Sequence, residues 1–280
     1  MPTIIAITVL ALGLMALAMP IAFSLMLSAI GVIWWNGQSL LIVPQQIISG
    51  IDSFTLLAVP FFLLAGELMT VGGMTVRLLN FAIAIVGRFK GGLAITNVVS
   101  AVLLAGISGS AVADTSALGK VLIPGMVRAG YSPAFAAALT AAANIVGPII
   151  PPSIAFILIG VLANLSITRL FLAGIVPGIL LVVLFSLYAW IATLVSRRGL
   201  EVEDRGYTLG EKMQGLGRVS PFIAIIIAIA YAMYGGLATP SEVAAISAVL
   251  ALMLVVAIYR AWRADDLWRI MSETVRESTM

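Results

Sequence analysis

The sequence predicts an all-α, polytopic membrane protein, and three observations lead to this fold class. Of the 280 residues, 62% are hydrophobic and 10% are charged. The mean hydropathy of +1.17 is above the range of ordinary soluble domains. Long stretches carry no charge: the first charged residue is Asp52, and none lies between Arg128 and Arg169. Because these runs lack period-2 alternation and lipid admits only helices or closed barrels, they are predicted to be helical.

Two residue types are absent, and their absence excludes several chemistries. The chain has no cysteine and no histidine, which rules out disulfides, thiolate metal sites and histidine proton relays. The opening MPTII lacks a basic n-region, so we expect residues 3–18 to be a retained span rather than a signal peptide. The net charge of +3 is assigned to cytoplasmic loops, since no basic face with aromatic side chains indicates nucleic-acid binding.

The apolar runs predict seven spans in the lipid bilayer. They are 3–18, 21–35, 53–71, 133–164 with a break near its middle, 170–196, 221–237 and 241–259. Residues 74–90 form an apolar stretch bracketed by basic side chains, which is typical of an interfacial helix. Residues 92–128 are predicted to be a re-entrant helical hairpin, because Lys90 and Arg128 place both of its ends on one side of the membrane.

Basic residues set the orientation. The loop 197–220 and the tail beyond 259 are rich in arginine, so both are predicted to be cytoplasmic. Counting spans backwards from these segments places the N-terminus outside and leaves Arg169 as an external basic residue.

A weak internal repeat joins the two ends of the chain. The segment AMPIAFSLMLSA (18–29) aligns with ATPSEVAAISAV (238–249), which pairs Pro20 with Pro240. The two copies have opposite predicted orientations, and inverted repeats with broken helices are typical of secondary transporters. The prediction is one repeat in 1–196, a cytoplasmic linker in 197–220 and the incomplete start of a second repeat in 221–280. The expectation is a fragment, or a chain completed by another chain.

The stretch GISGSAVADTSALGK (106–120) is unusually polar for a membrane segment. Gly106 and Gly109 allow the chain to unwind, and Ser108, Gly109 and Ser110 then offer carbonyl and hydroxyl oxygens that suit a sodium ion. Asp114 falls in the first turn of the resuming helix, where the dipole favours a carboxylate. Simple capping of that helix by Ser110 and Asp114 is the alternative.

The second interruption is TAAANIVGPIIPPSIAF (140–156). Three prolines remove backbone donors within a few residues, so the carbonyls of Asn144, Gly147 and Pro148 are predicted to become available to a cation. A simple proline kink is the alternative. A hairpin and a broken helix in neighbouring segments are what an ion site near the membrane midplane requires.

Five co-linear motifs resemble those of one family. They are LAVPFFLLAGELM (57–69), SGSAVADTSALG (108–119), GPIIPPSIAF (147–156), SITRLFLAGIVPG (166–178) and GLATPSEVAA (236–245). The chain resembles the large membrane subunit of TRAP transporters, the DctM type, within the ion transporter superfamily. The resemblance implies a sodium-coupled importer of organic anions in a bacterial inner membrane. It also implies an elevator mechanism, a small four-helix membrane partner and a periplasmic substrate-binding protein.

The resemblance also assigns site residues. It implies a sodium site formed by the hairpin tip and the broken helix, with substrate beside the tip. The predicted sodium ligands are Ser108, Gly109, Ser110, Asn144, Gly147 and Pro151. Asp114 and Ser153 are predicted to bind substrate or shape the loops. No catalytic residue, organic cofactor or other metal is expected. The second hairpin and second broken helix of such subunits are not found in this sequence.

Other functions remain open at this stage. A protease-like pair of Ser108 or Ser110 with Lys120 is conceivable, but Lys120 is expected to snorkel to the interface. A structural or channel-like membrane subunit is the stronger rival, because re-entrant hairpins also line pores. Glu67 is either a functional intramembrane carboxylate or a solvated group at a span end.

Overall fold

The computed structural model describes residues 2–87, 91–196, 208–258 and 264–278. Regular secondary structure in these ranges is helical throughout, which confirms the predicted all-α fold. The helices are α1 (Pro2–Ala16), α2 (Ile21–Trp35), α3 (Ile42–Ile51), α4 (Ala58–Val71), α5 (Met74–Val86), α6 (Gly92–Ser108), α7 (Ala111–Arg128), α8 (Pro133–Asn144), α9 (Ile154–Leu162), α10 (Ile167–Ser196), α11 (Leu209–Tyr234), α12 (Pro240–Met253) and α13 (Ala264–Ser278). A 3-10 turn, Phe54–Leu57, precedes α4, and a π-helical segment, Leu254–Ile258, continues α12.

The chain divides into two compact units, Met1–Ser53 and Phe54–Met280. In the first unit, α1 and α2 pack against each other. A Cβ atom on Gly31 would lie 3.5 Å from the Cδ2 atom of Leu10, so the two helices are in close contact there. The hydroxyls of Ser24 and Ser28 donate to carbonyls one turn earlier, at 3.1 and 2.6 Å. These polar groups are therefore satisfied within their own helix.

Four helices of the described residues are long and apolar enough to cross a membrane. They are Phe54–Val71, Ile167–Val195, Leu209–Tyr234 and Pro240–Ala257, and each corresponds to a predicted span. Helices α1 and α2 have 15 residues each, which is shorter than the roughly 20 residues of a full crossing. The predicted span 133–164 is divided into α8 and α9. The fold is that of a multi-pass membrane protein.

The hairpin α6–α7 and helix α8 form the centre of the second unit. All three helices contact one another, and α6 also packs on α4, α5 and α10. Small side chains line these contacts: Ala94, Ala101 and Ala105 on α6, and Ala136 and Ala143 on α8, are all fully buried. Small residues let helix backbones approach closely. Close backbone packing, rather than contact between large apolar side chains, therefore holds the hairpin against α8.

The described part of the predicted cytoplasmic linker 197–220 is largely helical, and its assignment as a linker stays a prediction. Helix α11 begins at Leu209 rather than at 221, and its start is fixed by a capping box in which the Thr208 N–H donates to Glu211 Oε2 at 2.8 Å. The first turns of α11 are polar, so the sequence does not show that they belong to the same helix as the apolar span that follows. Residues 197–207 lie outside the described ranges. Helices α11 and α12 pack on α5 and α4, and the assignment of two inverted repeats stays a prediction.

Two helices of the structure are not among the predicted elements. Helix α3 is short, and its sequence contains Pro44 and two glutamines, which conceals its helical pattern. Helix α13 is polar overall and packs on α4, with Ile270 fully buried and Thr274 nearly so. From the sequence, this segment is predicted only as part of a cytoplasmic tail, because a single apolar stripe is a weak signal beside long apolar spans.

The paired prolines of the predicted repeat each stand at the start of a helix. Pro20 directly precedes α2, and Pro240 is the first residue of α12. Thr239 caps α12, with its N–H donating to Glu242 Oε2 at 2.7 Å. The two segments therefore share a local arrangement in which a proline begins a helix, as its fixed φ favours.

Candidate functional site

The tip of the hairpin is a single glycine in the left-handed conformation. Helix α6 ends at Ser108, Gly109 has φ 58° and ψ 12°, and α7 begins at Ala111. The Gly109 N–H donates to the Ala105 carbonyl at 3.3 Å. Gly106, which was expected to help the chain unwind, remains inside α6. The change of direction is therefore confined to the residues between Ser108 and Ala111.

This tip lies directly against the break between α8 and α9. A Cβ atom on Gly109 would lie 2.8 Å from the carbonyl oxygen of Pro152 and 3.3 Å from the amide nitrogen of Ile154. Glycine is thus required twice at this position, for its positive φ and for the close approach of two backbones. The two interruptions that the sequence predicts meet in the folded chain.

A second contact joins the first turn of α7 to the break. Asp114 is buried, with 1% exposure. A Cβ atom on Gly147 would lie 3.3 Å from Asp114 Oδ2 and 3.6 Å from the Ala111 amide nitrogen. The positive end of the α7 dipole favours a carboxylate here. The absence of a side chain at Gly147 keeps the backbone of the break beside this carboxylate.

The break itself is an ordered structure. The Gly147 N–H donates to the Asn144 carbonyl at 3.0 Å. The Ser153 hydroxyl donates to the Pro148 carbonyl and accepts from the Phe156 N–H at 3.2 Å, which caps α9. The carbonyls of Asn144 and Pro148, expected to be available, therefore each accept one hydrogen bond. A carbonyl oxygen has two lone pairs, so each can still face a cation.

Helix α10 packs closely against the break at two of its glycines. A Cβ atom on Gly174 would overlap the Ile149 carbonyl oxygen and lie 2.5 Å from Phe156 Cε2. A Cβ atom on Gly178 would lie 2.6 Å from Ile150 Cγ1. The glycines of the FLAGIVPG segment therefore let a membrane helix touch the backbone of the break.

We expect Gly174→Ala to destabilise the protein by roughly 2–3 kcal/mol, because the new methyl group meets backbone that cannot move without disturbing the break. The measurement is thermal unfolding of the purified protein in detergent, where the transition should fall by about 5 °C. Gly125→Ala in α7 is the control, since a Cβ there has open space around it. Equal transition temperatures for the two variants would contradict the close packing of α10.

A buried polar cluster lies between the first arm of the hairpin and α8. Its members are Thr96, Asn97, Ser100, Thr140 and Asn144, each with 0–1% exposure. Asn97 Nδ2 donates to Thr140 Oγ1, and Asn144 Nδ2 donates to the Thr140 carbonyl, both at 2.7 Å. Four side-chain oxygens of this cluster have no hydrogen-bond partner among the described residues: Thr96 Oγ1, Asn97 Oδ1, Ser100 Oγ and Asn144 Oδ1.

Such oxygens are costly in a membrane interior. An unsatisfied buried polar group costs about 1–3 kcal/mol, so the oxygens of this cluster are candidate partners for a bound water or a cation. Asn144 is the last residue of α8, where the negative end of the helix dipole favours positive charge. The oxygen of the Asn144 side chain is therefore suited to a cation at the break.

A small cavity of about 70 Å³ opens beside the tip. Its walls include Ser110 and the carboxylate-bearing residues Glu67, Asp114 and Glu277. Glu67 is partly buried and faces this cavity rather than bulk solvent alone. This position favours the functional interpretation of Glu67 over a solvated span end.

The predicted site residues are distributed as follows. Gly109, Asp114, Gly147 and Ser153 lie together where the tip meets the break, and Ser110 borders the cavity beside it. Asn144 lies one turn before Gly147 at the end of α8, and Pro151 belongs to the break. The Ser108 side chain lies outside what the structure describes. The ion-binding role of these residues stays a prediction.

The structure does not form the protease-like pair of Ser110 with Lys120. Lys120 is exposed, and ten residues of helix separate it from Ser110, which is about 15 Å. A base must lie within hydrogen-bond reach of its nucleophile, so this pair cannot act as a dyad in the observed conformation.

The polar contacts between α6 and α8 were not predicted from the sequence. Thr96, Asn97 and Ser100 are polar positions in an otherwise apolar helix, and their spacing places them on one face. That pattern could have indicated a buried polar contact. It could not identify Thr140 as the partner, because that pairing depends on how α6 and α8 pack.

Secondary transporters place ion and substrate sites at broken helices, and here a hairpin tip lies against a proline-broken helix. The family model for the DctM component of the tripartite ATP-independent periplasmic transporters matches residues 8–280. The chain belongs to this family.

Three relatives are named as TRAP transporter large permease proteins. The 2,3-diketo-L-gulonate TRAP transporter large permease protein YiaN of Escherichia coli (strain K12) is 39% identical over 93% of this chain and 61% of the relative. The sialic acid TRAP transporter large permease protein SiaM of Vibrio cholerae is 37% identical over 96% of this chain and 62% of the relative. The C4-dicarboxylate TRAP transporter large permease protein DctM of Vibrio cholerae is 38% identical over 90% of this chain and 55% of the relative. The chain thus spans about three fifths of the length of the curated relatives it matches.

Proposed function

We propose that the chain belongs to the membrane permease subunit of a sodium-coupled TRAP transporter that imports organic anions across a bacterial inner membrane. Family membership supports the transporter class. The observation that carries the site is the contact of the hairpin tip with the break, where Gly109 meets the Pro152 carbonyl. No chemistry of bond making or breaking is assigned to the chain.

Helix polarity supports both a cation and an anion at this site. The C-terminal ends of α6 and α8, at Ser108 and Asn144, carry partial negative charge. The N-terminal ends of α7 and α9, at Ala111 and Ile154, carry partial positive charge and point N–H groups outwards. The contact of Gly109 with Ile154 brings the break to the turn between α6 and α7. Four helix ends therefore meet in one region.

We assign the sodium ion to the negative helix ends. Its ligands would come from Gly109 and Ser110 of the tip, with Ser108 beside them, and from Asn144, Gly147 and Pro151 of the break. The Asn144 Oδ1 atom, buried and without a hydrogen-bond partner among the described residues, fits a hard cation. Asp114 would hold the break in place beside Gly147 and add negative charge.

We assign the substrate to the positive helix ends. The three relatives are named for a keto sugar acid, sialic acid and C4-dicarboxylates, and each of these compounds carries a carboxylate. Backbone N–H groups at helix N-termini are suited to a carboxylate. The proposed substrate is an organic acid of this kind, placed beside the Ser153 cap of α9.

Sodium would act by ordering the tip against the break, which prepares the anion site. In the proposed cycle the hairpin and the broken helix then move as one block across the membrane, as in an elevator. A periplasmic binding protein would deliver the substrate, and a small four-helix membrane subunit would complete the complex. The N-terminus is assigned to the periplasmic side.

The test is uptake of radiolabelled organic acids into proteoliposomes that contain the permease, its small subunit and its binding protein. We expect the substrate to accumulate when there is an inward sodium gradient. Uptake should fall at least about tenfold when potassium replaces sodium, since a coupled carrier needs an ion that binds its conformational states with different affinities. Equal uptake in both salts would reject sodium coupling. Flux that rises without saturation would favour the channel-like subunit instead.

A further inference from the structure

A polar cleft lies between α5 and α11, away from the hairpin tip. Its volume is about 330 Å³, and it is lined by Arg77, Asn80, Phe81 and Ala84 of α5 and by Glu211, Gln214, Gly215 and Arg218 of α11. We call it the arginine cleft. Its size is at the lower end of the range, about 300–1,000 Å³, that small-molecule sites occupy.

The sequence builds this cleft from two facing helix stripes. On α5 the lining positions follow helical spacing from Arg77 to Ala84, and on α11 from Glu211 to Arg218. A Cβ atom on Gly215 would lie 3.6 Å from Phe81 Cδ2, so the helices touch there and the aromatic ring forms an apolar wall. The polar side chains stand around this contact.

Among the described residues that line the cleft, basic side chains outnumber acidic ones. Two guanidinium groups face one carboxylate, Glu211, which is already engaged: its Oε2 atom accepts from the Thr208 N–H at 2.8 Å and from Thr208 Oγ1 at 3.1 Å. Arg77 donates to the Gly72 carbonyl, which fixes its position at the start of α5. Arg218 is exposed on α11, one turn after Gln214.

The length and charge pattern of α11 favour a place for the cleft at the level of lipid headgroups. Helix α11 has 26 residues, about 39 Å in length, whereas the hydrocarbon core is about 30 Å thick. Its apolar part follows Arg218, so the first turns extend beyond the hydrocarbon. The charge distribution of the sequence places this end on the cytoplasmic side, where basic pockets between membrane helices bind anionic headgroups.

We propose that the arginine cleft binds the phosphate group of an anionic phospholipid. Guanidinium groups recognise phosphate oxygens through paired hydrogen bonds. Arg77 and Arg218 would hold the phosphate from the two helices, Gln214 and Asn80 would contact the polar headgroup, and Phe81 would pack against its glycerol. The bound lipid would join α5 to α11.

The experiment measures lipid binding to the purified permease by native mass spectrometry. Phosphatidylglycerol is the probe, phosphatidylcholine is the comparison lipid, and millimolar inorganic phosphate tests for a free-ion site. We expect retention of phosphatidylglycerol over phosphatidylcholine by the unmodified protein, and a loss of at least about tenfold in Arg77→Gln/Arg218→Gln. Competition by millimolar phosphate would overturn the lipid assignment.

Two further variants keep the result interpretable. Arg218→Gln alone should weaken phosphatidylglycerol binding even if loss of the Arg77 contact to Gly72 prevents folding of the double variant. Lys212→Gln removes the same charge from α11 at a position that does not line the cleft, and it should retain the lipid. Equal lipid loss in Lys212→Gln and Arg218→Gln would overturn the proposal, because it would show attraction to net charge alone.

Discussion

Replacing Gly109 by alanine is expected to reduce sodium-driven uptake by about 100-fold or more. The new methyl group would lie 2.8 Å from the Pro152 carbonyl oxygen, and the residue would have to keep a φ of 58°. The left-handed conformation costs an alanine about 1–2 kcal/mol, and the overlap adds about 1–3 kcal/mol. About 3 kcal/mol in total corresponds to roughly 100-fold in an equilibrium constant. Uptake in proteoliposomes measures the effect.

The matched control for this variant is Gly125→Ala on the returning arm of the same hairpin. A Cβ at that position meets open space, so uptake should stay within about twofold of the unmodified protein, since alanine is the better helix former. Both variants should insert in the membrane in similar amounts. If Gly109→Ala took up substrate at the rate of the unmodified protein, transport would not depend on the close contact between the tip and the break.

The elements that could be predicted from sequence are those with strong local signals. The glycine of the tip and the prolines of the break interrupt long apolar runs, and both interruptions are present where the sequence placed them, at Gly109 and between Asn144 and Ile154. Chain breaks of this kind are encoded by residues that cannot continue a helix. Long charge-free runs likewise identified α10 and α12.

The elements that were missed have signals that depend on tertiary partners. Helix α13 is polar, and what it buries is a narrow stripe that includes Ile270 and Thr274 against α4. The pairing of Asn97 with Thr140 joins residues 43 positions apart, and sequence spacing within either helix does not indicate it. Packing selects such pairs after the helices have formed, which explains why the α6 side of the site was not predicted.

The location of the site could be predicted from the sequence, but which of its backbone oxygens are already hydrogen-bonded could not. Counting prolines indicated available carbonyls at Asn144 and Pro148, yet the folded break pairs both with local donors, Gly147 and Ser153. Buried carbonyls are rarely left without partners. The side chain of Asn144 therefore becomes the better candidate ligand, because its Oδ1 atom has no partner among the described residues.

Replacing Asn144 by leucine is expected to raise the half-saturating sodium concentration for uptake by about tenfold or more. The variant keeps the size of the side chain and removes a buried oxygen, and the loss of one ligand to a cation in a dry site is worth about 1.5–3 kcal/mol. Initial uptake rates across a series of sodium concentrations, at fixed substrate, provide the measurement. The substrate concentration at half-maximal rate should change less when sodium is saturating.

Thr193→Val is the control, because it also removes a buried polar atom of the second unit while lying outside the cluster. The Thr193 hydroxyl donates to the Ala189 carbonyl at 2.8 Å within α10, so its loss should lower stability without changing the sodium dependence. An Asn144→Leu protein whose sodium curve matches that of Thr193→Val would remove Asn144 from the proposed ligand set.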